Sequence, residues 1–248
     1  MQNINNSYFD GYYKERWRAV IPDELTGKEV DFMLQYFNLK PGDKVLDIMC
    51  GYGRHAIGLA KKGIAVTAVD NLKDYISEIK QTAKNENLPV NAVEADVVQY
   101  KSNDVFDLAI CMGNSMNFFG HEDAQNLISN ISSCLKPGGH YLINSWSIAE
   151  IAIKNFKEKS WSEINGMKFL TDSKFCFHPT RIETESIMIA PDGGTETKTA
   201  IDYILSISEI EAMLNKAGFT LKEVYSIPGK KKFSLGEPRA YIVAEKAK

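Results

Sequence analysis

The 248-residue chain carries 29 lysines and arginines against 32 aspartates and glutamates, for a formal net charge of −3. With 44% hydrophobic residues, that length suits one globular domain with a real core and room for an insertion. The acidic balance, with Lys230-Lys231-Lys232 the only basic run and best read as a solvated loop, argues against nucleic acid as a partner. Cys50, Cys111, Cys134 and Cys176 form no C-x-x-C pair and the histidines are scattered, so no metal site is expected. Residues 1–10 are polar, unlike a signal peptide, and no apolar run approaches the ~18 residues of a membrane span. A cytoplasmic location and no membrane partner are the expectations.

In chain order, residues 1–38 read as a helical N-terminal arm and 39–248 as the main domain. Residues 45–49 read as a buried strand, 54–62 as a helix stopped by Gly63, 64–69 as a second strand and 72–84 as a second helix. Strands follow at 90–95 and 106–111, a helix at 124–135 and, after Pro137-Gly138-Gly139, a strand at 140–144. Such alternation with continuous apolar strands predicts an α/β, Rossmann-like parallel sheet covered on both faces, with ligands at the strands' carboxyl ends. Residues 160–205 switch to polar–apolar alternation around Pro191-Asp192-Gly193-Gly194, which predicts antiparallel hairpins. The segment 150–205 is therefore expected to be a β insertion over the active-site edge. Ser208 with Glu211 reads as a capping box for a helix running to Lys216, and strands at 219–226 and 240–244 close the chain.

The chemistry concentrates after the first strand, in Asp47-Ile48-Met49-Cys50-Gly51-Tyr52-Gly53-Arg54-His55. Gly51 and Gly53 let the backbone turn tightly under a ligand, and helix N–H groups point back at it. Gly51-x-Gly53-x-x-Ala56 also fits the dinucleotide fingerprint, so NAD competes as cofactor. Asp70, ending the second strand, could bind two ribose hydroxyls in either case. Asp96 ends the third strand, where its carboxylate suits an adenine amino group while the Val97 N–H suits a ring nitrogen. A carboxylate before the glycines, Asp47, suits a cationic amino group better than a pyrophosphate. Asp47 could equally cap the loop's own N–H groups.

These residues, with Leu39-Lys40-Pro41-Gly42-Asp43-Lys44-Val45-Leu46, Phe106-Asp107 and Leu135-Lys136-Pro137-Gly138-Gly139, stand in the order and spacing of class I S-adenosylmethionine (SAM)-dependent methyltransferases, which the chain resembles over roughly residues 40–145. The resemblance implies a seven-stranded sheet with an antiparallel last strand and a SAM cofactor across the strand ends, held by Asp47, Gly51, Gly53, Asp70, Asp96, Val97 and Met112. The segment Met112-Gly113-Asn114-Ser115 and the arm's Tyr8-Phe9-Asp10-Gly11 and Trp17 are similar to glycine/sarcosine N-methyltransferases, which implies that Tyr8 and Trp17 help enclose SAM. Two departures stand out. Met49 occupies a usual glycine, and Asn144-Ser145-Trp146 lacks the arginine that holds an amino-acid carboxylate, so glycine is not the expected acceptor.

The expected activity is methyl transfer to a nitrogen or oxygen of a small soluble molecule, with Asn114 and Ser115 as substrate-positioning candidates. They could also be a helix N-cap pair, and the stripe Tyr8, Tyr12, Tyr13, Trp17 could be ordinary core packing. No catalytic base stands out, and His55 and Arg54 are assigned no catalytic part. Two rivals remain: an NAD-dependent dehydrogenase, for which no convincing Tyr-x-x-x-Lys is present, and a SAM-binding protein without turnover.

Overall fold

A computed structural model describes residues 3–248. The arm contributes a short 3-10 turn, Ile4–Ser7, and helices α1 (Tyr12–Val20) and α2 (Asp23–Tyr36). Then come β1 (Lys44–Ile48), α3 (Arg54–Ala60), β2 (Ala65–Asp70), α4 (Lys73–Asn85), β3 (Val90–Glu94) and β4 (Phe106–Cys111). A 3-10 turn at Ser115–Phe118 precedes α5 (His121–Cys134), β5 (Leu135–Ser145) and α6 (Ala149–Asn155). Strands β6 (Lys159–Ile164), β7 (Met167–Phe177), β8 (Thr180–Ile189) and β9 (Thr195–Tyr203) lead to α7 (Ile207–Lys216), β10 (Phe219–Ile227), β11 (Lys231–Lys232) and β12 (Ala240–Lys246).

The main sheet runs β11-β10-β12-β5-β4-β1-β2-β3. Strands β1 to β5 are mutually parallel, and β12 inserts antiparallel between β5 and β10. The expected seven strands are thus present with one addition. The lysine run read as a loop supplies the two-residue edge strand β11, where exposed lysines discourage further strand pairing.

Burial on both faces explains the continuous apolar strands. Leu46 and Ile48 enter the core layer beneath α5 and α7, whereas Val45 enters the layer beneath α2, α3 and α4. β12 divides likewise, with Ala240, Ile242 and Ala244 on one side and Tyr241 and Val243 on the other.

The second sheet, β6-β7-β8-β9, is antiparallel throughout. One face meets the arm: the Tyr8 hydroxyl lies 2.8 Å from Ser186 Oγ, and the Arg16 guanidinium sits 3.8 Å from the centre of the Phe169 ring. The capping box before α7 is Ser206 with Glu209, two residues earlier than expected. Both Ser-x-x-Glu pairs fit the pattern, and the earlier one admits Ile207 as the first helical residue.

Candidate functional site

A cavity of about 620 Å³ opens over the carboxyl ends of β1 to β4, within the ~300–1,000 Å³ usual for small-molecule pockets. Asp47, Asp70 and Asp96, at or just beyond the ends of three successive strands, all line it. Gly51, Val97, Met112 and Ser115 line it too, as do Tyr13 and Trp17 from the arm.

The loop between β1 and α3 takes its shape from left-handed backbone. Met49 has φ +52°, Gly51 +55° and Gly53 +79°, so methionine occupies a conformation that favours glycine, at a cost of about 1–2 kcal/mol. Gly51 leaves open space where a side chain would stand. Gly53 does not line the cavity; a Cβ there would come within 2.6 Å of Ile79 on α4, so its smallness serves helix packing. Asp70 ties the loop down, accepting from Gly51 N at 2.8 Å through one oxygen and from Leu72 N at 3.0 Å through the other. Each oxygen retains a lone pair for a further donor. Burial raises the Asp70 carboxyl above the usual range.

Asp47 is 1% exposed, and its Oδ2 is the only buried side-chain polar atom among the described residues without a hydrogen-bond partner. Burial pushes this carboxyl up to about 7, against the pull of Arg54 and with repulsion from Asp70. Such an acid invites a cationic donor. Asp96 is exposed and accepts from Val98 N at 3.0 Å, while Val97 is a buried part of the cavity wall.

The arm forms the roof. Trp17 stacks between Tyr13, with ring centres 6.1 Å apart, and Trp146, at 5.8 Å. Its ring also lies over Gly113. Two latches hold the roof to α4: the Tyr75 hydroxyl donates to Phe9 O at 2.7 Å, and Glu78 pairs with Lys14 and Arg18. Asn5 fixes the other side through paired bonds with Ile201 on β9, at 2.9 and 2.8 Å. Tyr8, expected to enclose the cofactor, does not line the cavity; its ring is buried against Phe9 and Tyr13 and its hydroxyl is committed to Ser186.

Asn114 also departs from expectation. Its side chain is 2% exposed and absent from the cavity lining. The amide oxygen accepts from Ser145 Oγ, Trp146 N and Ser147 N, and the amide nitrogen donates to Ser147 Oγ and Asp202 Oδ1, each at 2.9–3.0 Å. This is a fully engaged junction between β4, β5 and β9, with no group left for a substrate. Nor is Asn114 a side-chain helix cap. Ser115 does line the cavity, though its hydroxyl donates to Met112 O at 3.0 Å.

Two groups lacked a sequence signal. Asp202, brought to Asn114 by β9, has its carboxyl pushed up to about 6 by burial, against the hydrogen bonds from Ser147 and Asn114. Glu29 on α2, 1% exposed, accepts from Arg54 at 2.6 Å, His55 at 2.9 Å and Tyr241 at 2.7 Å, joining arm, loop and β12. Despite desolvation these donors pull Glu29 down to about 2, while burial lowers His55, which stays neutral near pH 7. Arg54 and His55 are therefore tied into this network, while both also line the cavity.

Comparison with known proteins places this geometry. Residues 45–139 match the family model described as a methyltransferase domain. The chain is 27% identical over 161 residues to a glycine/sarcosine N-methyltransferase of Aphanothece halophytica, covering 63% of this chain and 60% of that one. It is 27% identical over 138 residues to the S-adenosyl-L-methionine-dependent Diels-Alderase iliD of Neonectria sp. (strain DH2), covering 55% and 52%. The chain spans about half the length of the curated relatives it matches. In fold it superposes on SAM-bound CalS10, an amino pentose methyltransferase from Micromonospora echinaspora, with TM-score 0.73 at 17% identity over 96% of this chain and 98% of that one. No helix among the described residues is long and apolar enough to cross a membrane. Motif order and sheet order agree with that match: residues 45–139 carry a methyltransferase domain, in a fold shared with solved SAM-dependent methyltransferases.

Proposed function

We propose that the chain transfers a methyl group from SAM to a nitrogen or oxygen of a small soluble molecule. The observation that carries this reading is the set Asp47, Asp70 and Asp96 in one cavity, with Asp47 Oδ2 buried and unpartnered. SAM's shape and charge match that set. Asp47 would take the amino group, Asp70 the two ribose hydroxyls, and Asp96 with the Val97 N–H the adenine edge. Gly51 gives the backbone close approach, Met112 and Trp17 flank the methionyl end, and Gly53 contributes through loop shape. A pyrophosphate would set negative charge beside Asp47, which disfavours NAD.

SAM supplies a methyl group already activated on a sulfonium. The protein's task is then to hold the nucleophile in line, about 3 Å from the methyl carbon, in a dry pocket. The arm (residues 1–38) and the insertion (150–205) would exclude water and shape the acceptor site. A nitrogen acceptor is favoured over oxygen by the likeness to an N-methyltransferase. The likeness to a Diels-Alderase keeps a second reading, SAM binding without methyl transfer. Incubation with SAM and fractionated small metabolites tests both. Release of S-adenosylhomocysteine supports transfer, whereas tight SAM binding with no release from any fraction supports the second.

A further inference from the structure

The antiparallel sheet presents two unlike ends on its inner face. Its register aligns Phe169 with Met188, then Thr171 with Ser186 and Lys198, then Ser173 with Thr184 and Ala200, and finally Phe175 with Ile182 and Asp202. The arm buries the first rows, leaving Phe169, Met188, Ser186 and Ala200 inaccessible. At the last rows Ser173, Thr184, Phe175, Ile182 and Asp202 stay partly accessible. A half-buried carboxylate thus stands at the partly accessible end of this face.

Asp202 is held ready there. Asn114 Nδ2 and Ser147 Oγ both donate to its Oδ1, at 2.9 and 3.3 Å, and among the described residues Oδ2 takes no hydrogen bond. No cation lies within ion-pair distance of it among the described residues. Tyr13, which feels the Asp202 charge, begins the aromatic line to Trp17 and Trp146, and Trp146 N is itself bonded to Asn114. Tyr13, Trp17 and Gly113 line the cofactor cavity, so this aromatic line joins the surroundings of Asp202 to that cavity. An oriented carboxylate with aromatic faces nearby recognises an organic ammonium.

We propose that Asp202 Oδ2 receives the ammonium of the methyl acceptor and takes its proton before transfer. The substrate class is then a small primary or secondary amine, its body resting on the Ser173–Thr184 hydroxyls and on Phe175 and Ile182. The N–H bond breaks and the proton passes to Asp202. The freed nitrogen pair forms the bond to the methyl carbon as the carbon–sulfur pair leaves with sulfur, and Asp202 later returns the proton to solvent. This inference rests on the proposed SAM-dependent function.

The test uses the full chain saturated with S-adenosylhomocysteine, titrated calorimetrically with matched probes: glucosamine against glucose, and ethanolamine against ethylene glycol. In at least one pair the amine should bind about ten-fold tighter or more. D202N should erase that preference while S-adenosylhomocysteine affinity stays within about three-fold. The wild-type preference should also fall as pH drops through about 6, where Asp202 becomes neutral. The other groups facing it do not change charge in that range: Tyr8 and Tyr13 stay neutral, Arg16 stays cationic, and Asn114 and Ser147 do not titrate. A preference that survives in D202N, no preference in either pair, or one flat between pH 5 and 7 would overturn the proposal. The wild-type pH series decides even if D202N does not fold. Failure of the wild type to bind S-adenosylhomocysteine would instead overturn the underlying function.

Discussion

The floor and the roof of the cavity are built from different physics. The floor is a parallel sheet whose strands, such as β4 with Leu108 to Cys111 at 0% exposure, are buried on both faces. The roof, formed by the arm, is held to the antiparallel sheet behind it by polar ties: Asn5 to Ile201, Tyr8 to Ser186, Tyr12 N to Glu196, and Lys198 to Asp10 and Ser7 O. None of the residues of α1 is buried. Close-packed layers fix where the ligand-binding strand ends stand, whereas exchangeable hydrogen bonds let a cover open to admit a ligand. Floor substitutions should therefore move cofactor affinity or global stability, and roof substitutions should move rates.

The largest effect is expected where the floor meets the ligand. Asp70→Ala removes the acceptors that tie Gly51 and Leu72 and would also remove those for the ribose. Charge-assisted bonds at ~1.5–3 kcal/mol each give an expected loss in SAM affinity of about 10²-fold or more by calorimetry. Unchanged affinity in the folded variant would detach the strand-end carboxylates from the cofactor. Asn114→Ala should be the most damaging to stability. It strands Asp202, Ser145, Ser147 and two backbone donors, so about 3 kcal/mol and a Tm drop of roughly 6–12 °C are expected in thermal melts. A normal Tm with lost turnover would return Asn114 to a substrate role.

That last contrast shows what a sequence can reveal. Strands β1 to β5 were legible because double-sided burial writes a continuous apolar run, and Asp70 and Asp96 because they end such runs. Asn114 and Asp202 meet across 88 residues, and no local pattern records the pairing. The role of Gly53 was half legible: its left-handed φ follows from the turn, but its approach to Ile79 is a tertiary fact. Helix α6 and the first residues of β5 escaped because short apolar stretches beside Pro137 and Gly138 carry too little periodicity.

A smaller, two-signed effect is expected at Asp47. Asp47→Asn relieves a buried acid, so the free chain's Tm should rise by about 2–4 °C, corresponding to roughly 1 kcal/mol. SAM affinity should fall by about ten-fold in the same variant, since the amino group loses its counter-charge. A gain in stability without a loss of affinity would make Asp47 a structural acid only. The smallest effect belongs to the roof. Glu78→Gln cuts the exposed pairs to Lys14 and Arg18, each worth up to about 1 kcal/mol, so SAM release in stopped flow should quicken by about two- to five-fold with Tm nearly unchanged.

The cofactor assignment is tested most directly by titrating the wild-type chain with SAM and with NAD at several pH values, in buffers of different ionisation heat. Because burial holds Asp47 up to about 7 and a cationic amino group favours its ionised form, SAM should bind with proton release near pH 7, and its affinity should weaken as pH falls below that value. NAD should not bind. Binding of NAD in place of SAM, or SAM binding with no proton release across this range, would contradict the account.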